Sequence, residues 1–205
     1  MLDLPPPDPG IEIVLASRGI SKGLAQTEGP QLLARPEIAF GPVYVGAYAK
    51  NVSSPTLDGE AGPVIGFRTG AAAFDLSGSA TWKLAVAPVG AVDDQALELA
   101  AAVSRRVGAL TPRVSVVWSP DDLGSTGRTV FAEAGASWRS GPTTVSATLG
   151  RRERDGGPDY SAWNAGASYA VAGRFTLDLR YYDTDRSAIG EPFHSRLVAS
   201  VRARF

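Results

Sequence analysis

Covalent and metal chemistry needs side chains that this chain scarcely carries. There is no cysteine among 205 residues, which excludes disulfide scaffolds, CxxC redox pairs and thiolate zinc sites. The single histidine, His194, excludes any site built on two imidazoles. A nucleophile needs a base, and the base needs an orienting group. The nearest approach is His194-Ser195 with Glu191 close by in sequence. Neighbours on a strand point to opposite faces, so His194 and Ser195 make a poor working pair. Ser17 and Ser161 would reach His194 only through the fold. No P-loop, no GxGxxG after a strand and no GxSxG occurs. The expectation is a protein that is not an enzyme, with no catalytic residue, no resident metal and no cofactor; a lipid-modifying enzyme is the less favoured alternative.

What remains is a charged set with regular spacing. Arg18, Arg35, Glu37, Lys50, Arg68, Lys83, Glu98, Arg113, Glu133, Asp178, Arg180 and Arg196 alternate with apolar residues, as do Glu12, Arg202 and Arg204. Ten of these are basic and five acidic. Lining a narrow passage, they would focus a positive potential and favour anions. Glu37, Glu98, Glu133 and Asp178 would pair with some of the bases and set a constriction. Cross-pairing of the whole set would instead plug the passage and leave a structural barrel. The remaining acids, among them Asp58, Glu60, Asp93, Asp94, Asp121, Asp122, Asp155, Asp159 and Glu191, fall in long connections, so a net charge of -1 conceals a segregation. Asp93-Asp94 and Asp121-Asp122 offer oxygen ligands of the kind calcium or magnesium takes, although a solvated loop is the plainer reading. Arg151-Arg152-Glu153-Arg154-Asp155 reads as a solvated loop tip. The near-neutral balance argues against a nucleic-acid partner.

The elements that position these charges have period 2. In Arg196–Phe205, Leu197, Ala199, Val201, Ala203 and Phe205 take one face of a strand, and Arg196, Ser200, Arg202 and Arg204 the other. Twelve such segments follow one another: 11–18, 31–40, 43–51, 61–69, 73–84, 95–104, 110–119, 128–138, 143–151, 160–171, 174–183 and 194–205. Five short turns, at Phe40-Gly41-Pro42, Thr69-Gly70-Ala71, Val107-Gly108-Ala109, Ser140-Gly141-Pro142 and Ala172-Gly173-Arg174, alternate strictly with six longer polar connections.

Alternation alone fits a soluble barrel with an apolar interior or a membrane barrel with an apolar exterior. Strands of about ten residues match a tilted membrane crossing. The alternation of short and long connections is that of outer-membrane barrels. Trp82, Trp118, Trp163 and Tyr181 cluster at the long-loop ends of the apolar faces, and Phe40, Trp138, Phe175 and Phe205 at the short-turn ends, as two girdles would. The apolar faces are rich in Ala and Gly, which would fill a closed core poorly. The sequence therefore predicts an all-β, transmembrane up-and-down antiparallel barrel of about twelve strands, give or take two, over residues 11–205. Residues 1–10, with Pro5-Pro6-Pro7, form an extended tail. No apolar h-region opens the chain, so the expectation is a mature protein whose signal peptide has been removed.

The sequence also resembles a family. Ala16-Ser17-Arg18-Gly19-Ile20-Ser21 is similar to the YRFRGIS segment, and Val43-Tyr44-Val45-Gly46-Ala47-Tyr48-Ala49-Lys50-Asn51-Val52 to the FYVGAWASNV segment, of the TorF-family porins of bacteria. The closing strand at 196–205 fits as well. The chain departs from that pattern in being richer in Ala and Arg and less aromatic. The resemblance implies an outer-membrane barrel and a pore, with no established substrate or catalytic residue. Phe205, with apolar residues at 197, 199, 201 and 203, looks like a terminal signal read by the barrel-assembly machinery. Expected partners are that machinery, membrane lipid, lipopolysaccharide and small, anionic solutes; the oligomeric state is left open.

Overall fold

Each period-2 segment can bury its polar face only by curling the sheet onto itself. A computed structural model of the chain describes residues 5–54, 56–90, 93–124 and 127–205. Its strands are β1 (Asp8–Ala16), β2 (Ile20–Ser21), β3 (Leu24–Ala25), β4 (Gln31–Phe40), β5 (Val43–Ser54), β6 (Leu57–Ala71), β7 (Phe74–Val86), β8 (Gln95–Ser104), β9 (Leu110–Ser119), β10 (Thr129–Ser140), β11 (Thr143–Arg154), β12 (Tyr160–Val171), β13 (Phe175–Thr184) and β14 (Arg196–Arg204). All except β2 and β3 form one closed barrel, each strand antiparallel to its sequence neighbours. The seam is β1 against β14, from Glu12↔Arg204 to Ala16↔Ser200.

The barrel is apolar outside. Leu15, Ile65, Leu149 and Leu197 are between 53% and 63% exposed on its outer wall. Trp82, Trp118, Trp163 and Tyr181 ring one end, and Trp138, Phe175 and Phe205 the other, all exposed; Phe40 is half-buried. So many large exposed apolar side chains suit hydrocarbon, not water. Few apolar residues are buried among the described ones, and a small cluster of them, Tyr160, Ala162 and Phe193, sits beneath the long loops.

Several boundaries differ from expectation, β5, β6 and β11 among them running three or four residues further toward the long loops. β1 starts at Asp8, with Pro9 opposite Ile38 and Gly10 opposite Glu37, so residues 8–10 are wall rather than tail. Residues 1–4 lie outside the described residues. The β6–β7 turn falls at Ala72-Ala73, not at Thr69-Gly70-Ala71, because all three of the latter continue the ladder against Phe74, Asp75 and Leu76. Ala72 and Ala73 take the left-handed conformation, at φ 49° and 69°.

The connection between β1 and β4 was expected to be a polar loop. It turns back instead as the β2–β3 hairpin, Ile20↔Ala25 and Ser21↔Leu24, with Lys22 and Gly23 at φ 50° and 83°. The Tyr160 hydroxyl donates to the Lys22 carbonyl at 2.7 Å, and Phe193 packs edge-on against the Tyr160 ring. A Cβ on Gly23 would stand 2.2 Å from the Cβ of Ala162. The hairpin is thus seated on the inner wall of β12.

Close backbone approach matters most at Gly62-Pro63. The β6–β7 pairing jumps there from Ala61↔Leu84 to Val64↔Thr81, and Pro63 has no N–H for a ladder bond. A Cβ on Gly62 would lie 1.8 Å from the Trp82 carbonyl oxygen, a backbone atom that cannot swing aside. Gly62→Ala is therefore expected to prevent or greatly slow barrel assembly, read as loss of the compact, heat-modifiable band on electrophoresis. Gly29→Ala, where an added Cβ meets nothing within 4 Å, should fold as the parent does.

Candidate functional site

Closing the barrel brings the alternate charged residues into one lumen and sorts them by height. Near the long loops they form a buried cluster. Asp122, 5% exposed, enters it from the connection after β9. It accepts from Lys83 Nζ at 2.5 Å, Arg152 at 2.9 Å and Lys22 Nζ at 3.1 Å. Lys22, at the tip of the β2–β3 hairpin, also donates to Glu98 at 2.6 Å. Glu60 accepts from the Tyr48 hydroxyl at 2.7 Å and pairs with Lys50 at 3.3 Å. Lys50 in turn donates to Gln26 on the same in-turned connection, at 2.7 Å. The two connections therefore meet inside the lumen, joined through Lys22 and Asp122.

Burial alone would push the Asp122 carboxyl up. The Lys22 and Lys83 ammonium groups, with Arg152, outweigh that and hold it well below the ordinary carboxylate range. A buried pair of this kind adds little or no stability over a well-packed apolar substitute, but removing one partner costs about 3–5 kcal/mol. The cluster therefore fixes where the in-turned segments sit.

Toward the short turns the lumen widens. A cavity of about 710 Å³ lies against β7, β8 and β9, whose inward residues there are small, among them Ser77, Ser79, Ala100, Ala102 and Ser115. Arg68 and Arg113 line it with Tyr44 and Asp75. Arg68 makes a two-pronged pair with Glu37, at 2.6 and 2.7 Å, and lies 4.0 Å over the Tyr44 ring. Arg113 makes no ion pair among the described residues. Glu12 is shared by three bases: Arg204 at 2.9 Å, Arg35 at 3.1 Å and Arg202 at 3.5 Å. Guanidinium groups therefore exceed the carboxylates that could neutralise them.

The facing wall is braced by a relay at mid-height. Thr148 donates to Glu133 at 3.1 Å and Asn164 to Thr148 at 2.5 Å. Arg180 donates to Asn164 at 2.8 Å, Ser146 at 2.9 Å and Asp178 at 3.1 Å.

The twelve charged residues singled out by alternation thus separate into groups. Arg35, Glu37, Arg68 and Arg113 stand in the wide basic part, with Glu133, Asp178 and Arg180 in the relay. Lys50, Lys83 and Glu98 belong to the buried cluster. Arg18 and Arg196 are held at the long-loop mouth, both paired with Glu191; Arg18 also donates to the Glu28 carbonyl at 2.7 Å.

Three expectations about the loops are corrected. Glu60 and Asp122 are not loop-surface acids but buried cluster members. Arg152 is not at a solvated tip; it is 9% exposed and bound to Asp122. The Asp121-Asp122 pair is unavailable to a cation, because three bases already occupy Asp122. Glu60 and Arg152 obey the same alternation as their strands, one residue beyond the expected ends. Lys22 and Asp122 carry no periodic signal at all. His194 is exposed and hydrogen-bonds through its backbone, to the Glu191 carbonyl and from Arg196.

Residues 33–188 match the family model described as Gram-negative porin. No curated protein sequence matches the chain. Among solved structures, a KdgM porin superposes with a TM-score of 0.66 at 8% identity, over 96% of this chain and 99% of that one. A KdgM porin in complex with disordered oligogalacturonate gives 0.65 at 9% identity, over 96% and 99%. A NanC porin gives 0.62 at 8% identity, over 95% and 98%. At such identities these likenesses speak for the fold. The family match spans most of the barrel, whose outer wall is built for lipid and whose lumen is charged: the chain belongs to the Gram-negative porin family and is a porin-like channel of the outer membrane.

Proposed function

We propose that the protein is a passive diffusion channel for small anionic solutes. The observation that carries this reading is the unbalanced guanidinium population of the wide part of the lumen. Three arginines share Glu12, and Arg113 has no carboxylate within ion-pair distance among the described residues. Fixed positive charge in a low-dielectric passage concentrates anions and lowers their barrier to entry. The in-turned connections narrow the other end, which limits the solute to a small one. Oligogalacturonate, which a KdgM porin binds, carries a carboxylate on each sugar; acidic sugars of small size suit the basic lumen of this chain too. The narrower placement among TorF-family porins rests on the segments at 16–21 and 43–52. Delivery by the barrel-assembly machinery through Phe205, and contact with lipopolysaccharide at the long-loop end, complete this reading.

In a planar bilayer under a salt gradient, the refolded protein is expected to open discretely with an anion-selective reversal potential. Arg113→Glu and Arg35→Glu should each lower the anion-to-cation permeability ratio, on the order of threefold or more for a potential of several kT. Cation preference in the parent would overturn the charge argument while keeping the channel.

The buried cluster favours a second reading, a barrel closed by its own connections with a structural role. Asp122→Asn separates the two. It removes the carboxylate shared by Lys22, Lys83 and Arg152 and loosens the contact between hairpin and loop. For a channel, conductance rises above a parent that already conducts. A silent parent with a conducting Asp122→Asn variant would establish the closed barrel.

The pH response follows from the same group. Its folded value is depressed, so its contribution is fully present above the unfolded value of about 4 and is lost only as pH falls through the lower folded value. Acidifying from pH 7 to about 5 should leave the conductance attributable to this contact unchanged. A rise in conductance across that interval, present in the parent and absent in Asp122→Asn, would contradict the assignment.

A further inference from the structure

The short-turn rim carries a second concentration of arginine, and two of its members stand over rings of the outer wall. Arg105 and Arg106 lie in the β8–β9 turn, Arg139 at the end of β10 and Arg174 in the β12–β13 turn. All four are exposed, and none makes an ion pair among the described residues. Backbone hydrogen bonds lace these turns into one arc: Arg139 N–H donates to the Ala109 carbonyl, Ala170 to Pro142, and Arg204 to Arg174. In the other half of the rim the turns at Gly41-Pro42 and Ala71–Ala73 carry no charge, and the start of β1 carries Asp8. The carboxylates nearest to these arginines in sequence, Asp178, Glu133 and Glu98, face the lumen, and Asp75 lines the luminal cavity.

The arc lies at the depth of the aromatic girdle. Arg105 continues the outward row of Leu97, Leu99, Ala101 and Val103, and its guanidinium stands 5.3 Å over the ring of Phe74, which is exposed on the outer wall. Arg174 stands 6.0 Å over the ring of Phe205, exposed likewise. Trp138, 49% exposed, lies on the outer wall opposite Leu110 and Val145, while Arg139 takes the inward parity and donates from Nε to the Gly141 carbonyl at 3.3 Å. Guanidinium groups stacked on lipid-facing rings sit where acyl chains end and phosphates begin. In an outer-membrane barrel the short turns face the periplasm.

We propose that the outward members of this arc, Arg105 and Arg174, bind the phosphate headgroups of anionic phospholipids in the leaflet at the short-turn end. Arginine presents a planar fork of donors that matches two phosphate oxygens, and it remains charged at that depth. The arc is one-sided, so the bound lipids gather along β8 to β13 rather than around the whole barrel. The proposal rests on the membrane-barrel reading and is independent of whether the lumen conducts.

The test uses the full chain with Trp82, Trp118 and Trp163 replaced by Phe, which leaves Trp138 as the reporter. It is refolded into phosphatidylcholine vesicles containing a minor fraction of phosphatidylglycerol, with bromine on the acyl chains of one lipid or the other. The expected result is quenching that corresponds to at least about fivefold enrichment of phosphatidylglycerol beside Trp138, the effect of one arginine at a membrane surface. Arg105→Gln/Arg174→Gln in the same background should return the ratio to unity. A companion retaining only Trp82, at the opposite girdle, should show no enrichment. Strong quenching of either reporter by brominated phosphatidylcholine shows that the barrel is embedded, so its absence would overturn the membrane reading itself. Equal quenching by the two lipids at Trp138, or enrichment untouched by the double substitution, would overturn the arc. Loss of enrichment in millimolar inorganic phosphate, against chloride at equal ionic strength, would reassign the site to a free anion and overturn the lipid.

Discussion

A backbone in hydrocarbon has no water to bond with, so each strand of this chain must find its hydrogen bonds on two neighbouring strands. An open sheet would leave two edges unsatisfied. The β1–β14 seam removes them, and it also decides what every side chain faces. Once the sheet closes, one set of alternate residues meets lipid and the other is confined to a passage. The apolar exterior and the charged interior are consequences of one closure, as are the local accommodations at Gly62-Pro63, where the ladder skips and only a residue without Cβ fits.

Confinement changes the meaning of the inward charges. On an open surface Lys83 and Asp122 would be a weak, solvated pair. Inside the lumen they are 7% and 5% exposed, and neither tolerates the loss of the other. This makes the cluster a positioning device. It draws a hairpin and a loop into the passage and holds them there through Lys22, Glu98 and Arg152. The apolar seat under the hairpin, where Tyr160, Phe193 and Ala162 receive Gly23, works in the same direction. Electrostatics and packing agree on one placement.

The wall of the barrel was legible because its signal is local. Strict period 2, Gly at the turns and aromatics at strand ends each appear within a few residues, and they place the twelve barrel strands to within a few positions. The errors at Glu60 and Arg152 are errors of length: the alternation runs on past the point where loop-like residues such as Asp58, Gly59 and Glu153 begin. Lys22 and Asp122 were illegible for another reason. Nothing near either residue distinguishes a charge in a solvated loop from one turned into a lumen, because the partners lie between 30 and 100 residues away in the chain. Arg18 and Arg196 show the converse. Their parity points inward, yet Glu191 on the adjacent connection intercepts both at the mouth.

The lumen is consequently not a uniform basic tube. At the long-loop end, bases and acids are nearly balanced and mutually engaged, which favours fixed structure over interaction with a passing solute. At the short-turn end, the arginines have too few carboxylates, and the residues opposite them on β7 to β9 are small, so both charge and space remain for a ligand. On the proposed anion-channel reading, a solute entering from the long-loop side would meet a neutralised constriction before the attractive field, and one entering from the short-turn side would meet the field first. Selection by size and selection by charge would thereby be separated along the axis of the barrel. The same chemical group, guanidinium, serves as a brace where Asp122 or Asp178 faces it and as a lining where Glu12 is shared three ways or, at Arg113, where no carboxylate is in reach.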